Sequence, residues 1–204
     1  MTNDAVIFVV DDDAQTRAAV CALVRSMNLR AEPLASSEEF LERYANEPGC
    51  VVADLRMHGL SGVELQEELL RRGVAIPVIV LTGHAHTAAV VRAMRAGAVT
   101  VLDKPPNDDD LWQALRTALA RDAEHRGKLA AHAERRARFD SLTDKERDVL
   151  RMIVAGRPNK AMANAIGASL RTVENRRREV FSKLGVRSVA ELVALTLKLE
   201  EGTE

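Results

Sequence analysis

No apolar run in this 204-residue chain approaches the roughly 20 residues that cross a bilayer. A spanning helix is therefore not expected, and neither is a membrane partner. The opening MTNDAVIFVVDDD lacks a basic flank and a small-residue cleavage site, so it does not read as a secretory signal. Cysteine is scarce. Cys21 and Cys50 stand alone, without metal-ligand spacing, and fit buried thiols in a reducing cytoplasm. Aromatic residues are 3% of the chain, which argues against a surface that stacks single-stranded bases. Excess charge of one sign is also missing, the net charge being −1.

The charge that is present is unevenly spread. Residues 1–120 hold 11 Lys/Arg against 17 Asp/Glu, whereas residues 141–204 hold 12 against 9. An acidic front and a mildly basic rear suggest two domains with different partners. In the front, Asp11, Asp12, Asp54, Thr82 and Lys104 each adjoin a short apolar run: IFVV, VVA, VIVL and AVTVLD. Such runs, separated by helical stretches near 14–27, 37–46, 62–71, 86–96 and 108–120, predict a doubly wound, five-stranded parallel sheet. Ligand crevices in such sheets lie beyond the carboxyl ends of the strands. Three carboxylates, a hydroxyl and an ammonium would then share one edge. The acids repel unless a cation joins them, and hard oxygen ligands suit Mg²⁺. The ammonium and hydroxyl suit a phosphoryl group whose charge must be neutralised.

Residues 121–140 are rich in Ala, Arg and Glu, and read as an extended, solvated linker helix or a flexible linker, interrupted at Gly127. Residues 141–204 carry signals for four short helices. Thr143 and Glu146 have capping-box spacing, Gly156 and Pro158 stop the first helix, and Asn159 is placed to cap the second. Gly167 closes that one, Ser169 caps the third, and Ser188 with Glu191 opens the fourth. Tight turns between such helices make a helix-turn-helix. On the third helix Val173, Val180 and Leu184 form an inward stripe. Opposite them lie Arg171, Glu174, Asn175, Arg178 and Ser182, a row able to reach base edges in a major groove. Lys160, Arg171, Thr172, Arg177 and Lys183 are placed for phosphates. Val189, Leu192, Val193 and Leu197 form an apolar stripe on the last helix, suited to joining two copies.

The motifs VVDDD, DLRMHGLSGVEL, VIVLTGH and AGAVTVLDKP, followed by LTDKERDVLRMIVAGRPNKAMANAIGASLRTVENRRREVFSKLGVRS, resemble two-component response regulators of the FixJ/NarL type. The first four resemble a flavodoxin-like receiver, and the last a LuxR-type helix-turn-helix. The resemblance implies that Asp54 accepts a phosphoryl group from a sensor histidine kinase. It implies Mg²⁺ held by Asp11, Asp12, Asp54 and the backbone carbonyl of Arg56, with Thr82 and Lys104 on the phosphoryl oxygens. It also implies a cis bond before Pro105, a loop glycine at Gly62, and a homodimer on double-stranded promoter DNA that can engage RNA polymerase. Such a protein is a cytoplasmic transcription factor, and not an enzyme beyond assisting its own phosphorylation and dephosphorylation.

Two positions depart from the receiver pattern. Val101 stands where a Tyr or Phe is usual, and His58 where DLRMP has proline. Arg176 stands where the third helix often has His. His84 and His86 read as solvated loop residues, and Asp108, Asp109 and Asp110 as an acidic helix start. Met57, Met94 and Trp112 read as packing residues. Asp13 is either a neighbour of the metal acids or the start of the first helix. A regulator with an intact but phosphate-independent receiver is one alternative, motivated by Val101, and a haloacid-dehalogenase-type phosphohydrolase is the rival from another class. It would need Thr or Val where Gln15 stands, and it gives Asp54 no role.

Overall fold

The computed structural model describes residues 5–83 and 87–200. The chain divides into two compact units between Arg126 and Gly127. His84 and His86 lie outside the described residues.

In the first unit, β1 (Val6–Val10), β2 (Arg30–Leu34), β3 (Gly49–Asp54), β4 (Val78–Thr82) and β5 (Thr100–Asp103) form one parallel sheet in the order β2-β1-β3-β4-β5. Between them run α1 (Ala14–Ser26), α2 (Ser37–Arg43), α3 (Gly62–Arg71) and α4 (Thr87–Arg95), and α5 (Asp108–Asp140) follows β5. Both faces of the sheet are covered, which is why β1, β3 and β4 read as unbroken apolar runs. Alternation along each strand divides the core. Phe8, Val10, Val51 and Ala53 pack with Phe40, Leu65 and Leu69 on one face. Ile7, Val9, Cys50 and Val52 pack with Val24, Leu111 and Leu115 on the other. β2 is an edge strand in which only Ala31 and Leu34 are buried, and Pro33 sits within it. The register pairs Val10 with Ala53, Asp54 with Leu81, and Thr82 with Asp103. Asp11, Asp54, Thr82 and Lys104 thereby reach the same sheet edge.

α5 departs from expectation. It runs 33 residues without a break at Gly127. An exposed helical glycine costs about 1 kcal/mol relative to alanine, a cost that the helix formers on both sides offset. Its stretch just past residue 120 is mostly exposed, with Asp122 turned inward. Asp122 is 4% exposed and accepts the Gly49 N–H at 3.0 Å. Arg126 pairs with Asp122 at 2.9 Å and donates to the carbonyls of Asn46 and Glu47. At Gly49, with φ 151°, a side chain would run into the Val6 carbonyl, so only glycine brings its N–H to that carboxylate.

The second unit contains α6 (Asp144–Val154), α7 (Asn159–Ala165), α8 (Leu170–Leu184) and α9 (Val189–Glu200). The Thr143–Glu146 capping box forms in full. Ser169 caps α8, and Gly185 ends it with a left-handed φ of 67°. Asn159 is no cap: Pro158 holds that position with extended backbone and no side-chain bond, leaving Asn159 as the first helical residue. Ser188 accepts from the Glu191 N–H as expected, but the Glu191 carboxylate accepts the Arg187 N–H rather than that of Ser188. Val149, Ile153, Met162, Val173, Val180, Leu184 and Leu192 form the core. Leu192 was expected on a dimer stripe, yet it is fully buried in this core, because a short helix must turn part of its apolar stripe toward its own domain. Among the described residues no helix is long and apolar enough to cross a membrane.

Candidate functional site

The sheet edge gathers a charged cluster. Ligand oxygens of Asp11, Asp12 and Asp54 all lie within 4.8 Å of one another. The Lys104 ammonium sits 2.6 Å from Asp11 Oδ2 and 3.0 Å from Asp54 Oδ1. Asp54 is the last residue of β3 and is buried. Burial pushes its carboxyl above the ordinary carboxylate value, and the neighbouring Asp11 adds to this, while Lys104 opposes it. One ammonium among three acids leaves the cluster short of positive charge. Three hard oxygen donors at this spacing, on a rigid sheet edge, fit a small divalent cation.

The supports come from local chain chemistry. Thr82 ends β4, is buried, and its carbonyl accepts the Lys104 N–H at 2.7 Å. The Lys104–Pro105 bond is cis, as the resemblance implied. At Gly62 a side chain would strike the Asp54 carbonyl, so α3 starts directly against the end of β3. Asp13 is the N-cap of α1, accepting the Thr16 N–H at 2.6 Å, and stands outside the acid cluster. Two contacts were not foreseen. The Arg17 guanidinium donates to the Asp11 carbonyl at 2.5 Å. His58 touches Asp12 twice, through its backbone N–H at 3.0 Å and its ring Nδ1 at 2.6 Å. These contacts hold the Asp12 carboxyl below the ordinary range, the backbone bond contributing most. The signal for the second was visible as the missing proline, whereas nothing in sequence marked Arg17. Arg56 is exposed in the same loop. Met57 packs against the core, but Met94 is 46% exposed, so its expected packing role is corrected.

On α8, Val173 and Val180 are fully buried while Arg171, Glu174, Asn175 and Arg178 are exposed. Arg177 lies over the Phe181 ring at 5.8 Å, and Thr172 bonds the Ser169 cap. Lys160 is exposed on α7. Lys183 differs from the phosphate contact expected of it. Its ammonium is 2.7 Å from Glu146 Oε2 and 3.3 Å from the Ser141 carbonyl, so it fastens α8 to the start of α6. On α9, Val189 and Leu197 are 41% and 53% exposed and Val193 is half-buried, so three of the four expected stripe residues remain open.

An acid cluster on a parallel sheet, joined in one chain to a helix-turn-helix, defines a class of signal-controlled regulators. Residues 7–116 match the response regulator receiver domain, and residues 140–196 match the bacterial regulatory proteins of the luxR family. The chain belongs to this family: it is a transcriptional response regulator, and not an enzyme in the ordinary sense. It is 38% identical to the transcriptional regulatory protein FixJ of Azorhizobium caulinodans, over 97% of this chain and 94% of that one. It is 34% identical to the response regulator protein TmoT of Ectopseudomonas mendocina, over 98% and 91%. The solved structure of the response regulator StyR matches with a TM-score of 0.87 and 37% identity, covering 96% of this chain and 99% of that one.

Proposed function

We infer that the chain is a cytoplasmic regulator that takes a phosphoryl group on Asp54 from a sensor histidine kinase and then binds promoter DNA as a homodimer. The observation that carries this is Asp54 at the end of β3, 3.0 Å from Lys104 and grouped with Asp11 and Asp12. Asp11, Asp12, Asp54 and the Arg56 carbonyl would hold Mg²⁺, which when bound would offset the negative charge of the acids and of the incoming phosphoryl group. A carboxylate oxygen of Asp54 attacks phosphorus while the bond to the donor breaks and the donor keeps the electron pair. The Thr82 hydroxyl donates to a phosphoryl oxygen, and Lys104 turns its charge from the two acids toward the new group. The change biases an existing equilibrium between inactive and active forms.

Boundaries of 1–120 for the receiver, 121–140 for the linker and 141–204 for the DNA-binding domain serve this reading, with Asp122 and Arg126 fastened to the receiver side. In the second domain Asn175, Arg178 and Glu174 read bases, while Lys160, Arg171, Thr172 and Arg177 contact phosphates. Val189, Val193 and Leu197 join two copies, which on DNA can engage RNA polymerase. The test is labelling of the full chain with acetyl phosphate. Labelling requires Mg²⁺ and disappears in Asp54→Ala. Retention at the wild-type level refutes the assignment.

A further inference from the structure

His58 makes an unusual pair of contacts for a residue whose side chain is fully exposed. Its backbone N–H lies 3.0 Å from Asp12 Oδ2, and its ring Nδ1 lies 2.6 Å from the same oxygen. An ionised carboxylate only accepts, so in this contact Nδ1 is the donor and carries the proton. A proline in this place would have neither donor. The loop that bears His58 is itself anchored. Glu38 on α2 accepts the Leu60 N–H at 2.9 Å, and Ser61 caps α3 through a full capping box with Glu64. The two donors therefore act from a fixed frame. Asp12 is the exposed member of the acid cluster, whereas Asp11 and Asp54 are buried and held by Lys104. Without His58, Asp12 has the most rotamer freedom to lose when it meets an ion.

The geometry points to His58 as a positioning residue that fixes Asp12 through Oδ2, leaving Oδ1 to meet the divalent cation and raising cation affinity beyond what the three acids alone would give. This rests on the proposed Mg²⁺ site. Hydrogen-bond partners of metal ligands typically account for a 10–100-fold change in affinity.

Calorimetric titration of the full chain with Mg²⁺, and separately with Mn²⁺, tests it in four variants, alongside thermal unfolding in EDTA. His58→Ala keeps the backbone donor and loses the ring, and is expected to weaken binding by roughly tenfold. His58→Pro loses both donors and weakens it further. His58→Gln restores a side-chain donor and recovers much of the loss, with unfolding midpoints in EDTA matching wild type throughout. A merely structural role would shift those midpoints and would show no rescue by Gln. Unchanged affinity in His58→Ala overturns the inference. So does tighter binding, which would mean that His58 competes with the ion for Asp12. Asp12→Asn separates the two readings. If wild type and Asp12→Asn bind Mg²⁺ alike, the metal site itself falls and this inference with it.

Discussion

Replacing Asp54 with asparagine should stabilise this protein when no divalent cation is present. The side chains have nearly the same shape, so the change is chiefly the loss of one negative charge. With an effective dielectric constant of about 20, like charges no more than 4.8 Å apart repel by at least roughly 3.5 kcal/mol. On the same basis an ammonium 3.0 Å from a carboxylate attracts it by roughly 5.5 kcal/mol. Asp54 faces two acids and one ammonium, so repulsion exceeds attraction by roughly 1.5 kcal/mol, and burial acts in the same direction. Lys104 keeps Asp11 as its partner at 2.6 Å in the variant. Asp54→Asn should therefore gain about 1–2 kcal/mol, or about 4–8 °C in unfolding midpoint for a domain of this size. Differential scanning calorimetry of the full chain in EDTA at neutral pH measures it. Mg²⁺ should then reverse the order, since an ion at 100 times its Kd stabilises the wild type by about 2.7 kcal/mol and has lost a ligand in the variant. A variant no more stable than wild type in EDTA, or Mg²⁺ stabilising both equally, would refute the charge argument.

Other outcomes follow from the same structure. Val101 is half-buried where receivers usually have a ring, so beryllofluoride should raise operator affinity only modestly, near the lower end of typical couplings of about 1–3 kcal/mol. A hundredfold or greater gain in a gel-shift titration would show the ring to be dispensable. Asn175→Ala and Arg178→Ala should each cost about 1–3 kcal/mol on the cognate site and spare random DNA. Lys160→Ala should weaken both and flatten the salt dependence by about one charge; equal losses on both DNAs for Asn175→Ala would make α8 a backbone clamp. Glu146→Gln should cost about 1.5–3 kcal/mol at neutral pH, the range for bonds to a charged partner. The Lys183 contact holds the Glu146 carboxyl below its ordinary value. Its stabilisation is thus present above about pH 4.5 and is lost as pH falls through the depressed value. Urea unfolding of both forms should converge in acid, and a difference that persists at pH 2 would sink the ion-pair account.

The sheet was readable because strands buried on both faces must be apolar along their length, and β1, β3 and β4 are so up to the polar residues that end β3 and β4. Their ends then placed Asp11, Asp54 and Thr82 without further information. The inward-turned pair of Asp122 and Arg126 was not readable, because such an ion pair has the composition of a solvated helix. Only the pairing of Asp122 with Gly49, distant in sequence, shows it to be interior. Leu192 and Lys183 failed for a related reason. Helical periodicity tells which residues share a face, but not whether that face meets the domain's own core, a second copy or DNA. Leu192 turned to its own core, and Lys183 to Glu146.

The β2 edge has a consequence for how copies of this chain meet. An open strand offers a row of donors and acceptors onto which another chain can add, and that is a common route to aggregation. Here Pro33 removes one donor from the middle of the strand. Glu32 lies beside it, paired with Arg43 at 2.7 Å and with Arg30 at 3.8 Å. A strand that docked there would lose a ladder bond at Pro33 and bring its own side chains up against this charged trio. Growth of the sheet across molecules is thereby discouraged at its β2 edge.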